Sequence, residues 1–398
     1  MTEPTIIVVV PWYGTDIPGG SETHARRLSE ELVCAGHRLE VWSTCVRDFR
    51  SDWNHDFHDP GVTIENGVTV RRFPIRLRNT SAFDAVNAKL MQSVPISARE
   101  EDTYLAETIR SDALCQAIRE APSANTYLFM PYMFGTTYWG LQEHPVNSIL
   151  IPCLHNESYA YLSSFRDMYY LASVILCNTV EELDLLVQVA GKDILGRARV
   201  LGEGVDPPRP DLATRFAISM IDSSPYLLCA GRKEAGKGTP DLVAMFASYK
   251  RSSPGPLKLL LAGPGELALP HDAETLGIRD MGYLSKPDLH TAMANAIALC
   301  QPSLNESFSI VMMESWLSGR PVLVDGRCDV TRRHCERSNG GLWYTTQGEF
   351  NEVIRYLTTN NTEASRMGAN GGYYAAANYS WPWIIFCFRN FLFSSSRL

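Results

Sequence analysis

The sequence predicts an α/β chain made of two doubly wound domains that face each other across a cleft. Three observations predict it. An apolar, β-branched run at Ile6–Val10 is followed by a glycine-bearing loop, a helix and a second strand. The same strand–loop–helix order begins again at Tyr226–Ala230. Between the two lies Leu201–Pro210, whose two glycines and three prolines have the composition of a linker. A chain of 398 residues is long enough for two cores.

Composition narrows the class. With 45% apolar and 20% charged residues the chain is too apolar to be disordered. A net charge of −8 argues against nucleic acid as the main partner. The acidity is uneven: residues 1–205 hold 17 Lys and Arg against 26 Asp and Glu, and the remainder holds 19 against 18. The start lacks a basic region, and its apolar run is too short for a signal core or a spanning helix. Ten cysteines without a CxxC spacing fit buried free thiols in a reducing compartment, so a cytoplasmic location is expected.

The elements follow in order. Ile6–Val10 reads as a central parallel strand. The loop with Gly14, Gly19 and Gly20 leads into a helix with Leu28, Leu32 and Val33 at helical spacing, capped by Ser21 or Thr23 and ended by Gly36. Leu39–Trp42 is the next strand, residues 46–66 are irregular, and Val68–Ile75 alternates as a strand. Residues 80–121 are helical in composition; Tyr127–Met130, Ile149–Leu154 and Ser173–Cys177 are buried strands, with a helix from Thr179. In the second half, Tyr226–Ala230, Lys258–Ala262, Ala298–Gln301 and Pro321–Val324 are strands, the last of them the final clear one. Asp241–Tyr249, Pro287–Asn295 and Ile310–Leu317 are helices. The expected domains are 1–205 and 206–375, with 376–398 an aromatic tail helix that packs back on the first.

Three loops carry chemistry. Gly14–Gly20 joins a strand to a helix, where backbone N–H groups can meet a phosphate; it reads equally as a tight turn. It is neither a GxGxxG fingerprint nor a Walker loop, and the missing fingerprint argues against a NAD-dependent dehydrogenase. In the second loop Arg232 and Lys237 lie between Gly231 and Gly238, and can hold a diphosphate or be solvated surface cations. The third runs from Glu306 to Glu314 across a helix N-terminus. Carboxylates suit vicinal diols because they accept two hydrogen bonds. Glu314 lies among apolar residues, where an idle charge is costly.

Together these residues resemble the retaining glycosyltransferases of family 4, of the GT-B architecture with two Rossmann-like domains. The resemblance rests on Gly19-Gly20-Ser21-Glu22, Gly36-His37, His155, Gly231-Arg232 to Lys237-Gly238, Leu260–Gly265, Gly282-Tyr283 and the Glu306-to-Glu314 spacing. It implies roles. Gly19 and Gly20 offer N–H groups to a donor diphosphate, and Arg232 and Lys237 stabilise that diphosphate as leaving group. Glu306 holds the transferred sugar, with the N–H groups of Phe308 and Ser309 near its hydroxyls. Ile310 and Val311 offer amides to the phosphates, Glu314 takes the ribose hydroxyls, and the backbone at Tyr283 borders the base. His155 projects toward the reacting sugar; its plainer reading is a core histidine. Two positions depart from the family pattern: Ser309 stands where Gly is common, and Glu203 where Asn is.

The expected activity is transfer from a UDP- or GDP-sugar to a saccharide, lipid-linked or small-molecule acceptor, with retention and with no cofactor or metal. The alternatives are a nucleotide-sugar epimerase of the same architecture and an idle sugar-nucleotide-binding subunit. The Trp53–Asp59 run, with two His and two Asp, reads as a hydrogen-bonded turn before a metal site, and Cys328, His334 and Cys335 lack zinc spacing. Arg71, Arg72, Arg76 and Arg78 are the basic cluster of the acidic half, read either as a solvated edge or as the place for an anionic acceptor and a peripheral membrane contact. Arg72, Arg76 and Arg78 share a parity, although Pro74 is placed to interrupt the strand.

Overall fold

The structure, a computed structural model, describes residues 4–208 and 224–395, with side chains as far as residue 392. Arg209 and Pro210 of the expected linker lie outside the described residues. The chain divides into two compact units, Met1–Gly204 with Trp381–Leu398, and Val205–Ser380.

The first unit holds an eight-stranded sheet: β1 (Ile6–Val9), β2 (Leu39–Thr44), β3 (Gly61–Glu65), β4 (Val68–Phe73), β5 (Thr126–Phe129), β6 (Asn147–Leu150), β7 (Val174–Cys177) and β8 (Ala198–Val200). Their order is β3-β4-β2-β1-β5-β6-β7-β8, parallel throughout except for β3 against β4. Ile6 of β1 pairs with Leu39 on one side and Thr126 on the other. Strand order reverses between β1 and β5, the place where a doubly wound sheet opens a crevice at its carboxyl edge. A small pocket lies there, lined by Pro11, Trp12, Ser21, Glu22 and Pro131 among others.

Helices α1 (Gly20–Cys34), α2 (Thr80–Met91), α3 (Ala98–Glu107), α4 (Asp112–Glu120), α5 (Gly135–Gln142), α6 (Ser163–Tyr169) and α7 (Val180–Ala190) complete the unit's main helices before residue 204. Asn79, Ser97, Ser111 and Thr179 cap α2, α3, α4 and α7 through their side chains. At α1 the expected cap is displaced. Gly19 precedes the helix with no side-chain cap, and Ser21 Oγ donates to Glu22 Oε2 at 2.9 Å instead. The segment expected to be irregular contains β3, joined to β4 by Asn66 (φ +49) and Gly67 (φ +82), both in the left-handed region that a two-residue hairpin turn requires.

The second unit has a six-stranded parallel sheet ordered β11-β10-β9-β12-β13-β14. Its strands are β9 (Tyr226–Ala230), β10 (Lys258–Ala262), β11 (Ile278–Gly282), β12 (Ala298–Gln301), β13 (Val322–Asp325) and β14 (Gly341–Tyr344). Both faces are buried. Leu227, Cys229, Leu259, Leu261 and Cys300 enter one core, while Leu228, Ala230, Leu260, Leu299 and Val324 enter the other. That is why these strands read as continuous apolar runs. β14 follows the strand expected to be last. Helices α8 (Thr239–Ser252), α9 (Lys286–Asn295), α10 (Ile310–Leu317), α11 (Asp329–Ser338), α12 (Gln347–Thr359) and α13 (Asn361–Tyr379) cover the sheet.

Helix α14 (Trp381–Ser395) belongs to the first unit and contacts α1. The Arg27 guanidinium lies 5.5 Å from the centre of the Trp381 ring. Gly204 is required beside that ring, since a Cβ there would stand 2.3 Å from it. Among the described residues no helix is long and apolar enough to cross a membrane.

Candidate active site

In the second unit the carboxyl ends of neighbouring strands are tied together. Gly231, after β9, donates its N–H to Ala262 O at 2.9 Å, and Gly263, after β10, donates to Gly282 O at 2.8 Å. Gly263 has φ +138, and a Cβ on it would stand 1.9 Å from Gly231 O. Gly238 has φ +69, and its Cβ would stand 2.3 Å from Pro302 O. Only glycine meets both demands, a left-handed backbone and a bare Cα against another main chain. The two ends of loop 231–238, which carries Arg232 and Lys237, are therefore held against the chain that follows β10 and β12.

Lys237 Nζ stands 2.7 Å from Glu306 Oε1. Gln301, the last residue of β12, donates through Nε2 to the same Glu306 oxygen at 3.2 Å and to Ser309 Oγ at 2.9 Å. Arg232 Nε is 3.2 Å from Glu234 Oε1. Lys233 is buried, with its ammonium 2.6 Å from each oxygen of Asp280, and Asp280 Oδ1 also accepts from Gly282 N at 2.8 Å. This pair braces the loop against β11.

Helix α10 starts beside them. Its first turn, Ile310 and Val311, has no side-chain cap, because Ser309 adopts φ +80 and directs its hydroxyl to Gln301. An uncapped helix N-terminus presents N–H groups and a positive dipole end. Glu314, one turn further along, is buried against the Lys286 ammonium, with His290 Nε2 3.9 Å from Oε1. Burial alone would raise its carboxyl, but His290 and Lys286 together hold it below the ordinary carboxylate value. Phe308 is buried, its ring 4.8 Å from Tyr379 and 5.7 Å from His334. Burial lowers His334 to about 3, so the ring is neutral, and its Nδ1 lies 3.0 Å from Tyr374 Oη. Tyr283 follows Gly282 and is 72% exposed, which leaves a face open to a planar ligand. Two cations, a helix N-terminus and two held carboxylates thus share one sheet edge, a constellation for an anion carrying hydroxyl groups.

Residues 213–372 match the family described as Glycosyl transferases group 1. The D-inositol 3-phosphate glycosyltransferase of Xylanimonas cellulosilytica is 30% identical over 341 residues, covering 78% of this chain and 76% of that one. The chain belongs to the group 1 glycosyl transferases. Its fold is also that of sucrose-phosphate synthase from Thermosynechococcus elongatus, with a TM-score of 0.72, 16% identity and 99% of each chain covered. Anabaena HepE in complex with UDP and glucose is similar too, at a TM-score of 0.69 and 12% identity, over 99% of this chain and 100% of that one.

The Ser309 departure of this glycosyltransferase now has a physical setting. A non-glycine residue in the left-handed region costs ~1–2 kcal/mol, and a buried hydrogen bond returns about 1 kcal/mol. The Gln301 bond thus offsets much of the strain. Ser309→Ala keeps the strain and loses the bond, so it should destabilise the second unit by ~1 kcal/mol. Ser309→Gly loses both and should leave the melting temperature nearly unchanged. Parallel thermal melts check the difference.

In the first unit of the glycosyltransferase the loop glycines and His155 stand at the carboxyl ends of β1 and β6. Gly19 lies against its own helix's acid: a Cβ on it would be 2.0 Å from Glu22 Oε2, while Gly20 has open space. The Glu22 carboxylate also accepts from Trp12 Nε1 at 3.0 Å. An anion at this helix start would meet that carboxylate. His155 is half-buried, with Nδ1 3.6 Å from Glu157 Oε1, and is not the core histidine of its plainer reading. Glu203, the second departure, is buried with Oε2 3.6 Å from Nδ1 of His24, a ring that burial lowers to about 3.

The backbone before His155 is held from below. Glu182 is buried and accepts from Leu154 N at 2.5 Å and from Asn178 N. Burial raises its carboxyl from 4.5 to about 8, against the pull of those N–H donors. The folded unit therefore keeps a proton that the unfolded chain gives up near 4.5. Its stability should fall as pH rises from 4.5 toward 8 and then level off, by at most ~1.4 kcal/mol per pH unit. Glu182→Gln should remove this slope; urea melts between pH 5 and 8 measure it.

The structure corrects the arginine cluster. Arg72 is buried and bonds Tyr13 O at 2.9 Å, Thr63 Oγ1 at 2.9 Å and the Glu65 carboxylate. Arg71 points to the opposite face of β4, over Trp42. β4 ends at Phe73, so the expected parity does not continue, and Arg78 lies against Trp53 and Phe83 at 4.7 and 4.6 Å. Arg76 is exposed. The Trp53–Asp59 run begins in a turn, where Asp52 just before it accepts from Asn54 N at 2.9 Å, and within the run Asp56 accepts from Ile75 N at 3.0 Å.

Sequence reasoning missed Gln301, Lys286, His290, Lys233 and Asp280. Gln301 alone left a signal, a polar residue closing an otherwise apolar strand.

Proposed function

We propose that this glycosyltransferase moves a hexose from a UDP- or GDP-sugar to a saccharide, lipid-linked or small-molecule acceptor, with retention of configuration. The supporting observation is the Lys237–Glu306 pair beside the uncapped start of α10. Cleavage of a sugar–phosphate bond builds negative charge on the diphosphate. Lys237, Arg232 and the N–H groups of Ile310 and Val311 oppose that charge. The Lys237 ammonium has three donors, so it can keep Glu306 and still reach a phosphate oxygen. Glu306 accepts from the sugar hydroxyls, near the N–H groups of Phe308 and Ser309, and Glu314 exchanges Lys286 for the ribose diol. The exposed Tyr283 borders the base.

Retention follows if the acceptor hydroxyl attacks from the face the diphosphate leaves, with the departing phosphate oxygen taking the proton. The UDP and glucose bound by Anabaena HepE favour a UDP-sugar, and the D-inositol 3-phosphate named for the relatives favours a polyol phosphate acceptor. The roles of Gly19, Gly20 and His155 rest on the sequence resemblance. No cofactor or metal is needed when cations and a helix dipole meet the diphosphate, so a chelator should leave the rate unchanged.

A thermal-shift panel of UDP-, GDP- and ADP-sugars tests the donor site. Absence of a shift with every one of them refutes it. Product analysis with and without acceptor then separates a transferase from an epimerase, which alters the donor alone, and the anomeric configuration of the product decides retention.

A further inference from the structure

We infer that Gln301 is a positioning residue that fixes the Glu306 carboxylate for the transferred sugar, through one amide nitrogen shared with Ser309. This rests on the reading of Glu306 as the sugar's ligand.

Gln301 is 6% exposed and ends β12, a strand held by β9 and β13. Its Nε2 carries two hydrogens and has two acceptors within reach, Glu306 Oε1 at 3.2 Å and Ser309 Oγ at 2.9 Å. Lys237, which also donates to Glu306, sits on a short turn, Ala235–Lys237, and on the same reading its charge serves the diphosphate. A site residue is held best from a rigid element whose own side chain is locked by packing. Gln301 meets that condition. Ser309 meets it in return, since its hydroxyl keeps the amide facing the carboxylate and its φ of +80 brings that hydroxyl to Gln301. The departure at Ser309 and the polar end of β12 are then two halves of one device: the strand end reads out the conformation of the sugar-binding loop.

The test uses the full-length protein with UDP, GDP and ADP and their glucose conjugates as probes, taking the pair the wild type binds. The measured quantity is the affinity for the glucose conjugate relative to that for the nucleoside diphosphate. Gln301→Met should keep the diphosphate affinity within about twofold and weaken the conjugate about tenfold, the loss expected for one hydrogen bond to a charged group. Its melting temperature should fall. Adding Ser309→Gly should restore the melting temperature, because no strain is left to hold, without restoring the conjugate affinity. If the double variant regains both, Gln301 only supports the turn and the inference is overturned. Equal weakening of diphosphate and conjugate in the single variant overturns it as well. Glu306→Gln separates the levels. If it weakens the conjugate while Gln301→Met does not, only the inference fails. If it leaves the conjugate unchanged, Glu306 does not hold the sugar, and the site reading fails with the inference.

Discussion

Lys237→Ala should lower turnover by ~10²–10³-fold, the range seen when one group that stabilises developing negative charge is removed. The side chain is only partly exposed and works beside the uncapped start of α10, where an ammonium acts through a medium of lower polarity than water. Folding should survive, because Glu306 keeps its Gln301 donor and Lys237 lies on a surface turn. Lys237→Arg restores the charge with a planar fork in place of a compact ammonium, and should recover the rate only in part. Arg232→Ala should cost less, since Glu234, 3.2 Å from Arg232 Nε, already offsets its charge. Steady-state kinetics with matched melting curves check the series. Full activity in the Lys237→Ala protein would remove this residue from the reaction.

Trp316→Ala should have the largest effect on stability. The indole is fully buried on α10 and donates from Nε1 to Gly340 O at 2.7 Å. It fills a recess that exists because residue 371 is glycine: a Cβ there would stand 2.2 Å from Trp316 Cδ1. Truncating a buried Trp costs ~3–5 kcal/mol, and in a unit of this size each kcal/mol moves the melting temperature about 2–4 °C. A fall of roughly 6–20 °C follows. The same change loosens α10 against α13, so nucleotide binding should weaken although no binding residue is altered. Trp343→Ala, at a position 39% exposed, is the control and should change little. A melt of Trp316→Ala within about 2 °C of wild type would show that the recess collapses around the loss.

Legibility followed burial. Tyr226–Ala230, Lys258–Ala262, Ala298–Gln301 and Ile310–Leu317 occupy in the structure the positions their sequence pattern predicts. The three strands are central and covered on both faces, so each reads as a mainly apolar run, with Lys258 and Gln301 at the strand ends as the polar exceptions. β3 was not legible that way. It is an antiparallel edge strand with Val62 and Ile64 turned to solvent, 57% and 75% exposed. Its signal was the turn, Asn66-Gly67, and not its hydropathy. β14 is a four-residue edge strand on which Trp343 is 39% exposed.

The sequence by itself determined the two α/β sheets, the glycine loops at their carboxyl edges and the charged residue types set there, because each depends on local pattern and backbone freedom. Only the tertiary structure decided which charges act together. Arg72 follows Arg71, and Arg78 lies two residues after Arg76, yet the first is buried with a hydrogen bond to Tyr13 O and the second lies against two aromatic rings. Lys286 and Glu314, or Gln301 and Ser309, come from separate elements and meet through packing. A carboxylate's partners depend on distance in space, over a few ångströms, and sequence order carries little of that information once the chain has folded back on itself.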